Sequence, residues 1–323
     1  MTTTRAIVLP AAERVELRAV ALTAPLAADV TIQTRYTAIS AGTERMLYAG
    51  QMPHPMLQFP VIPGYETVGT VIAAGPDAPA GLIGRDVYVG GARCYDGVNP
   101  AWGGQAAMLH ADGNRVVTLD GVDPRAGVML ALAATALHGV DIAGDIAGKK
   151  VLVLGQGPVG QLAARIATAR GAHVVVCDTH AGRLLHAKAA EIYDTSSTTL
   201  AAHGVSECAV VIEATGHMAA AAGAISALAP NGTIVLLGYY DQITLPYMPL
   251  FLKQARLLTS KEWAPGDLQR CRDMIAAGTL EVADLLTHEI SVADAPNQYR
   301  TALFDPDCLK MVIRWETGAE GVV

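Results

Sequence analysis

The chain has 323 residues, 51% of them hydrophobic and only 16% charged, with a net charge of −7. That length accommodates about two domains, each with its own core. The apolar content excludes a disordered chain, and the acidic balance without a basic cluster excludes nucleic acid or an anionic membrane as main partner.

Taken in chain order, Met1-Thr2-Thr3-Thr4-Arg5 leads straight into strand-like sequence and lacks the apolar segment of a signal peptide, which predicts a cytoplasmic protein. Residues 5 to about 122 are rich in Gly, Pro and short β-branched runs: Ala6–Leu9, Val30–Gln33, Thr67–Ala73 and Asp86–Val89. Short strands punctuated by turns predict a mainly antiparallel, barrel-like domain. From about 126 the pattern changes to helices alternating with solid apolar strands. Val151–Leu154 is a strand, Pro158 to Arg170 an amphipathic helix closed by Gly171, and His173–Cys177, Ala209–Glu213 and Thr233–Gly238 are further strands. Strands buried on both faces and separated by helices predict a doubly wound parallel sheet, so the fold class is α/β. The longest charge-free stretch, Ala214 to Tyr240, is interrupted by Pro230-Asn231-Gly232 and reads as helix, turn and strand, not as a membrane span. The last part, from about 266, supplies a helix over Asp267–Ala277 and a final strand, Met311–Ile313, and is expected to pack back on the N-terminal part. The five cysteines are odd in number and scattered, without a CxxC. They predict reduced thiols and neither a disulfide framework nor a zinc ribbon.

One motif carries chemistry. Gly155-Gln156-Gly157-Pro158-Val159-Gly160 is a GxGxxG that directly follows an apolar strand and opens a helix. Glycines there allow a tight turn and let a pyrophosphate rest on the helix N-terminus. Asp178, at the end of the next strand, can accept a ribose 2′-hydroxyl and repels a 2′-phosphate, which favours NAD over NADP. Arg183 either reaches the adenosine or is a solvated helix charge. Thr215-Gly216 and Gly238-Tyr239, at later strand ends, fall where ligands bind in open α/β sheets.

Several segments resemble the medium-chain dehydrogenase/reductase superfamily: Pro63-Gly64-Tyr65-Glu66-Thr67-Val68-Gly69, Gly84-Arg85-Asp86-Val87, Ala41-Gly42-Thr43-Glu44 and Gly103-Gly104-Gln105-Ala106. The stretches Ile39–Pro53, Gly91–Cys94, Leu130–Ala136, Glu262–Leu268 and Cys308–Val312 are similar to the branch that oxidises the 3-(1-hydroxyethyl) group of bacteriochlorophyllide in bacteriochlorophyll synthesis. The resemblance implies a GroES-like catalytic domain over 1–125, a Rossmann NAD-binding domain over 126–265 and a return segment over 266–323. It also implies a (bacterio)chlorophyllide substrate oxidised to the 3-acetyl product, with Thr135 beside the nicotinamide and Lys310 on the cofactor's pyrophosphate. Members are often dimers or tetramers, so a homo-oligomer is an open expectation.

Zinc enzymes of the superfamily hold their metal by a Cys, the His of a GHE and a second Cys or acid. The matching positions here are Ala41, Tyr65 and Ala131, and the four-cysteine structural lobe is missing, so no zinc is expected. The resemblance then implies that Thr43 touches the substrate hydroxyl, that Tyr65 donates or accepts alongside it, and that Glu66 orients either one. His138, on an apolar helix, is a further titratable candidate or a satisfied core histidine. Met46, Tyr48, Met52, His54, Met56 and Phe59 crowd one loop-like stretch and are either the macrocycle wall or interface packing, with His54 able to ligate the pigment's magnesium. Two other readings stay open: a zinc-free enone or quinone reductase of the same superfamily, and a catalytically silent NAD-binding sensor or structural protein.

Overall fold

The structure is a computed structural model that describes residues 2–53 and 57–316. It divides into two compact units, Met1–Ala131 with Leu286–Val323, and Leu132–Leu285.

In the first unit the ten-residue strand Asp29–Ala38 is the organising element. Its buried positions alternate from Val30 through Ile32 to Thr34, the period-2 pattern of a strand with one covered face. It pairs antiparallel with Thr67–Ala74 and Met108–Asp112, and with Met311–Arg314 from the far end of the chain (Val312 opposite Ala38, Ile313 opposite Thr37). The strands Asp86–Val89 and Val117–Thr118 extend this sheet on one side and His288–Ser291 on the other. A separate hairpin joins Thr3–Val8 to Glu16–Ala21. Directly after the long strand, the helix Ala41–Tyr48 buries Glu44, Leu47 and Tyr48. Its apolar face joins a core that contains Ile39, Met52, Tyr299, Leu303 and Met311.

The second unit is a six-stranded parallel sheet. Its order is Glu191–Asp194, His173–Asp178, Lys150–Leu154, Cys208–Glu213, Leu228–Leu236, Arg256–Thr259. The chain builds outward from Lys150–Leu154 in one direction, then restarts on its other side with Cys208–Glu213. That reversal opens a crevice at the carboxyl ends of these two strands, the place where such sheets receive ligands. The helix Pro158–Ala169 follows the first strand and is buried along most of its length. The segment Pro230-Asn231-Gly232, expected as a turn, runs inside the strand Leu228–Leu236. Its irregularity survives as a register shift against Cys208/Val210 and a positive φ of 58° at Asn231.

The helix Asp267–Ala276, expected in the return segment, groups with the second unit. Arg270 pairs with Asp141 at 2.7 Å, and the buried Arg165 makes a two-pronged contact with Asp284 at 2.6 and 2.7 Å. These charge-assisted bonds tie residues 267–284 to the parallel sheet's helices, so the chain leaves that unit only after Leu285. All five cysteines are free and buried. No helix among the described residues is long and apolar enough to cross a membrane.

Candidate active site

Two neighbouring loops of the first unit bring three hydroxyls together. Ser40 is the residue before the helix Ala41–Tyr48, yet its side chain caps no backbone N–H there. Its Oγ shares a 2.5 Å hydrogen bond with Tyr65 Oη, and Thr43 Oγ1, one turn along, lies 3.1 Å from the same phenol. The Tyr65 backbone is held in turn, because Tyr88 Oη donates to the Tyr65 carbonyl at 2.7 Å. Burial, then the neighbouring Glu66 carboxylate, push the Tyr65 phenol far above the ordinary tyrosine value of 10. Tyr65 is therefore a neutral hydroxyl, placed to accept from one neighbouring hydroxyl and donate to the other. Ser40 was missed by sequence reasoning. The available signal was its position: a serine before a helix is normally read as a cap.

Glu66 was expected to orient Thr43 or Tyr65 directly. Its carboxylate instead receives Lys310 Nζ at 2.8 and 3.1 Å, with both side chains essentially inaccessible to water. The third Lys310 donor goes to the Ile39 carbonyl at 3.0 Å. All three N–H groups of Lys310 are engaged inside the first unit, so the structure places this lysine on Glu66 rather than on a pyrophosphate. A second buried carboxyl, Glu44, accepts from the Ser40 backbone N–H at 2.9 Å and from the Tyr299 hydroxyl. Burial is the largest influence on it and pushes its carboxyl up to about 7.

In the second unit the Gly-rich turn has the shape its sequence requires. Gly155 has φ of 86°, and a Cβ there would lie 2.7 Å from Thr215 Cγ2. A Cβ on Gly160 would fall 1.8 Å from the Gly155 carbonyl oxygen, so only glycine allows the helix to start this close to the strand. Gly157, by contrast, would place its Cβ in open space. It begins the helix Pro158–Ala169 with no side-chain cap, which leaves backbone donors at that end for an anion. Asp178 accepts from Gln156 N at 2.6 Å and His180 N at 2.8 Å, each oxygen keeping a further lone pair. Arg183 Nη1 stands 4.0 Å from the same carboxylate. Across the crevice, Glu213 fastens Thr215 N at 2.8 Å and Gly216 N at 3.2 Å. A Cβ on Gly238 would lie 2.6 Å from Gly216 Cα, so these two loops meet backbone to backbone; Tyr239 beside them is exposed. This set of residues fits a dinucleotide: a cradle at Gly157, donors at the helix start and a carboxylate at the adjoining strand end.

The remaining expectations fare differently. Tyr48 and Met52 are buried in the core, Tyr48 with its ring 6.4 Å from that of Tyr299; of the two, Tyr48 also lines the small cavity beside Glu13. Met46 and Phe59 are partly buried against the same core. His54 and Met56 lie outside the described residues. His138 is half-buried in the second unit with Nδ1 3.8 Å from Asp267, whose carboxylate also accepts from Ala264 N. Thr135 is half-buried on the same helix. The positions that match zinc ligands offer two alanines and one phenol already bonded to Ser40 and Thr43. No three His, Cys, Asp or Glu side chains converge among the described residues. This donor set does not fit a zinc ion.

Residues 27–121 match the family model for the alcohol dehydrogenase GroES-like domain, and residues 158–277 that for the zinc-binding dehydrogenase. The chain is 33% identical to the 2-desacetyl-2-hydroxyethyl bacteriochlorophyllide A dehydrogenase of Cereibacter sphaeroides, over 98% of this chain and 99% of that protein. Among solved structures, a Sinorhizobium meliloti 1021 protein bound to NADP superposes with a TM-score of 0.85 at 22% identity, covering 97% of this chain and 100% of that one. A short chain alcohol dehydrogenase of E. coli CFT073 complexed with NADH gives 0.86 at 19% identity, covering 97% and 99%.

Proposed function

The chain belongs to the medium-chain dehydrogenase/reductase superfamily, and from that premise we propose that it oxidises the 3-(1-hydroxyethyl) group of a (bacterio)chlorophyllide to 3-acetyl, with NAD as acceptor and without zinc. The observation that carries the reading is the full-length relation to the Cereibacter enzyme. A bound nicotinamide supplies the hydride acceptor, and Asp178 supports NAD by taking up a ribose 2′-hydroxyl where a 2′-phosphate would meet its charge.

The chain's own contribution to the proton is the hydroxyl series Thr43, Tyr65, Ser40. The carbinol carbon gives up a hydride and its hydroxyl gives up a proton. Thr43 Oγ1 receives that hydroxyl's hydrogen bond, and Tyr65 Oη, bonded to both, links Thr43 to Ser40. Because the Tyr65 phenol stays neutral, the shift is concerted: the carbinol proton goes to Thr43, that of Thr43 to Tyr65, that of Tyr65 to Ser40, and that of Ser40 to a water molecule, with no phenolate formed. The conjugated macrocycle spreads the positive charge that develops at the carbinol carbon, which lightens the work a Lewis acid does in zinc relatives.

The test is turnover of a 3-hydroxyethyl chlorophyllide with NAD and with NADP, alongside metal analysis of the active enzyme. NADH formation by zinc-free protein is expected, with Thr43→Val and Ser40→Ala each lowering kcat by about 100-fold at unchanged melting temperature. Stoichiometric zinc that activity follows on removal and return would overturn the zinc-free part. Failure to oxidise the pigment with either cofactor would overturn the substrate.

A further inference from the structure

Of the expected pocket wall, Tyr48 and Met52 belong to the core and Met46 and Phe59 pack partly against it, which leaves little of these four side chains for a flat macrocycle. The first unit contains a cavity of about 790 Å³, within the range of small-molecule sites and well above the cavities beside Arg35 (about 240 Å³) and Glu13 (about 350 Å³). Gly90, Gly91 and Trp102 line it. Its wall is tightly built. Ala92 N donates to the Trp102 carbonyl at 2.7 Å, Tyr95 Oη donates to Gly103 O at 2.5 Å, and a Cβ on Gly91 would lie 2.5 Å from Trp102 O.

Trp102 itself sits at φ of 70°, a conformation uncommon for a bulky residue that persists only where the surroundings impose it. The result is a half-buried indole whose ring stands edge-on to Tyr65, 5.4 Å between centroids. One wall of the cavity is therefore also the neighbour of the hydroxyl series. The charges on its rim are unevenly used. Asp29 accepts from Leu26 N, and Asp112 accepts from the Asn114 backbone and side chain and has Arg115 beside it as counter-charge. Arg93 is exposed and has no carboxylate partner among the described residues.

We propose that this cavity seats the pigment, with the macrocycle against Trp102 and the guanidinium of Arg93 receiving the free propionate that distinguishes a chlorophyllide from its esters. The seat rests on the pigment reading above. A planar guanidinium matches a carboxylate in two-pronged geometry, and an aromatic wall suits a flat conjugated ring.

The experiment compares 3-hydroxyethyl chlorophyllide with its propionate methyl ester, following binding by pigment absorbance in the absence of cofactor and turnover in its presence. Wild-type protein should bind the acid about tenfold more tightly than the ester. Arg93→Gln should lose that preference by weakening binding of the acid about tenfold while the ester binds as before, and Arg115→Gln should retain it. A wild-type enzyme that oxidises acid and ester with equal KM overturns the seat and leaves the pigment reading standing. So does an Arg93→Gln protein that keeps the preference, or an Arg115→Gln protein that loses it. Absence of binding and turnover with either pigment overturns both.

Discussion

The crevice of the second unit and the hydroxyl cluster of the first are built by opposite means. At the Gly-rich turn the useful groups are backbone N–H donors, and the side chains that matter are mostly absent ones: Gly155, Gly157 and Gly160 work by leaving space. At Ser40, Thr43 and Tyr65 the useful groups are side-chain hydroxyls. They are held by buried groups that arrive from distant parts of the chain, Lys310 on Glu66 and Tyr299 on Glu44. A backbone site depends on excluded volume close by in sequence, while a side-chain site depends on partners that only the completed fold delivers. The two should therefore break differently.

The largest effect is expected at the buried ion pair. Lys310→Met leaves the Glu66 carboxylate without its counter-charge in a place water does not reach, and should lower stability by about 4 kcal/mol in urea unfolding. Adding Glu66→Gln to that variant should recover most of the loss, because it is the unpaired charge and not the missing contact that destabilises. If the single variant unfolds like wild type, the pair is not what holds this cluster.

Glu44 sharpens the same side of the comparison through pH. Its carboxyl keeps a proton up to about pH 7 when folded, against an ordinary value of 4.5, so between those values the folded form binds the extra proton. This group's contribution to stability should accordingly be fully present below about pH 4.5, and fall as pH rises through 7 by about 3 kcal/mol. Glu44→Gln should flatten that slope in urea unfolding at pH 5 and pH 8, keeping the acceptor for Ser40 N.

At the backbone site two glycines separate volume from function. Gly160→Ala forces a Cβ onto the Gly155 carbonyl and should cost about 2 kcal/mol of stability together with cofactor binding. Gly157→Ala meets nothing in the protein and should leave unfolding unchanged, while weakening NADH binding about tenfold in a fluorescence titration, because the methyl group enters the space left for the diphosphate. Equal NADH affinity in Gly157→Ala and wild type would place the diphosphate elsewhere.

Much of the fold and of the cofactor crevice is legible in the residue pattern. The alternation of Asp29–Ala38, the apolar run ending at Leu154, the glycines after it and Asp178 are local patterns, and local patterns dictate strands, turns and helix starts. Other features run against local reading. Ser40 has the position of a helix cap, but its hydroxyl goes to Tyr65. Tyr48 and Met52 suggest a pocket wall because methionines and aromatics suit either a cavity or a core; packing with Tyr299 puts both in the core, and Tyr48 also borders a small cavity there. Residues 267–284 resemble the beginning of the return, yet the charges on Arg165 and Arg270 bind them to the parallel sheet.

By itself, then, the sequence determined the two kinds of sheet and the Gly-rich turn that follows Leu154. Each of these depends on residues within a few positions of one another, or on residue types alone. The tertiary structure decided which polar groups meet. Lys310 reaches Glu66 from 244 positions away and Tyr299 reaches Glu44 from 255, both delivered by the return segment whose strand Met311–Arg314 pairs with Asp29–Ala38. Residues so far apart influence each other only after the intervening chain has folded, so their pairing, and with it the state of the Tyr65 phenol, is a property of the completed sheet.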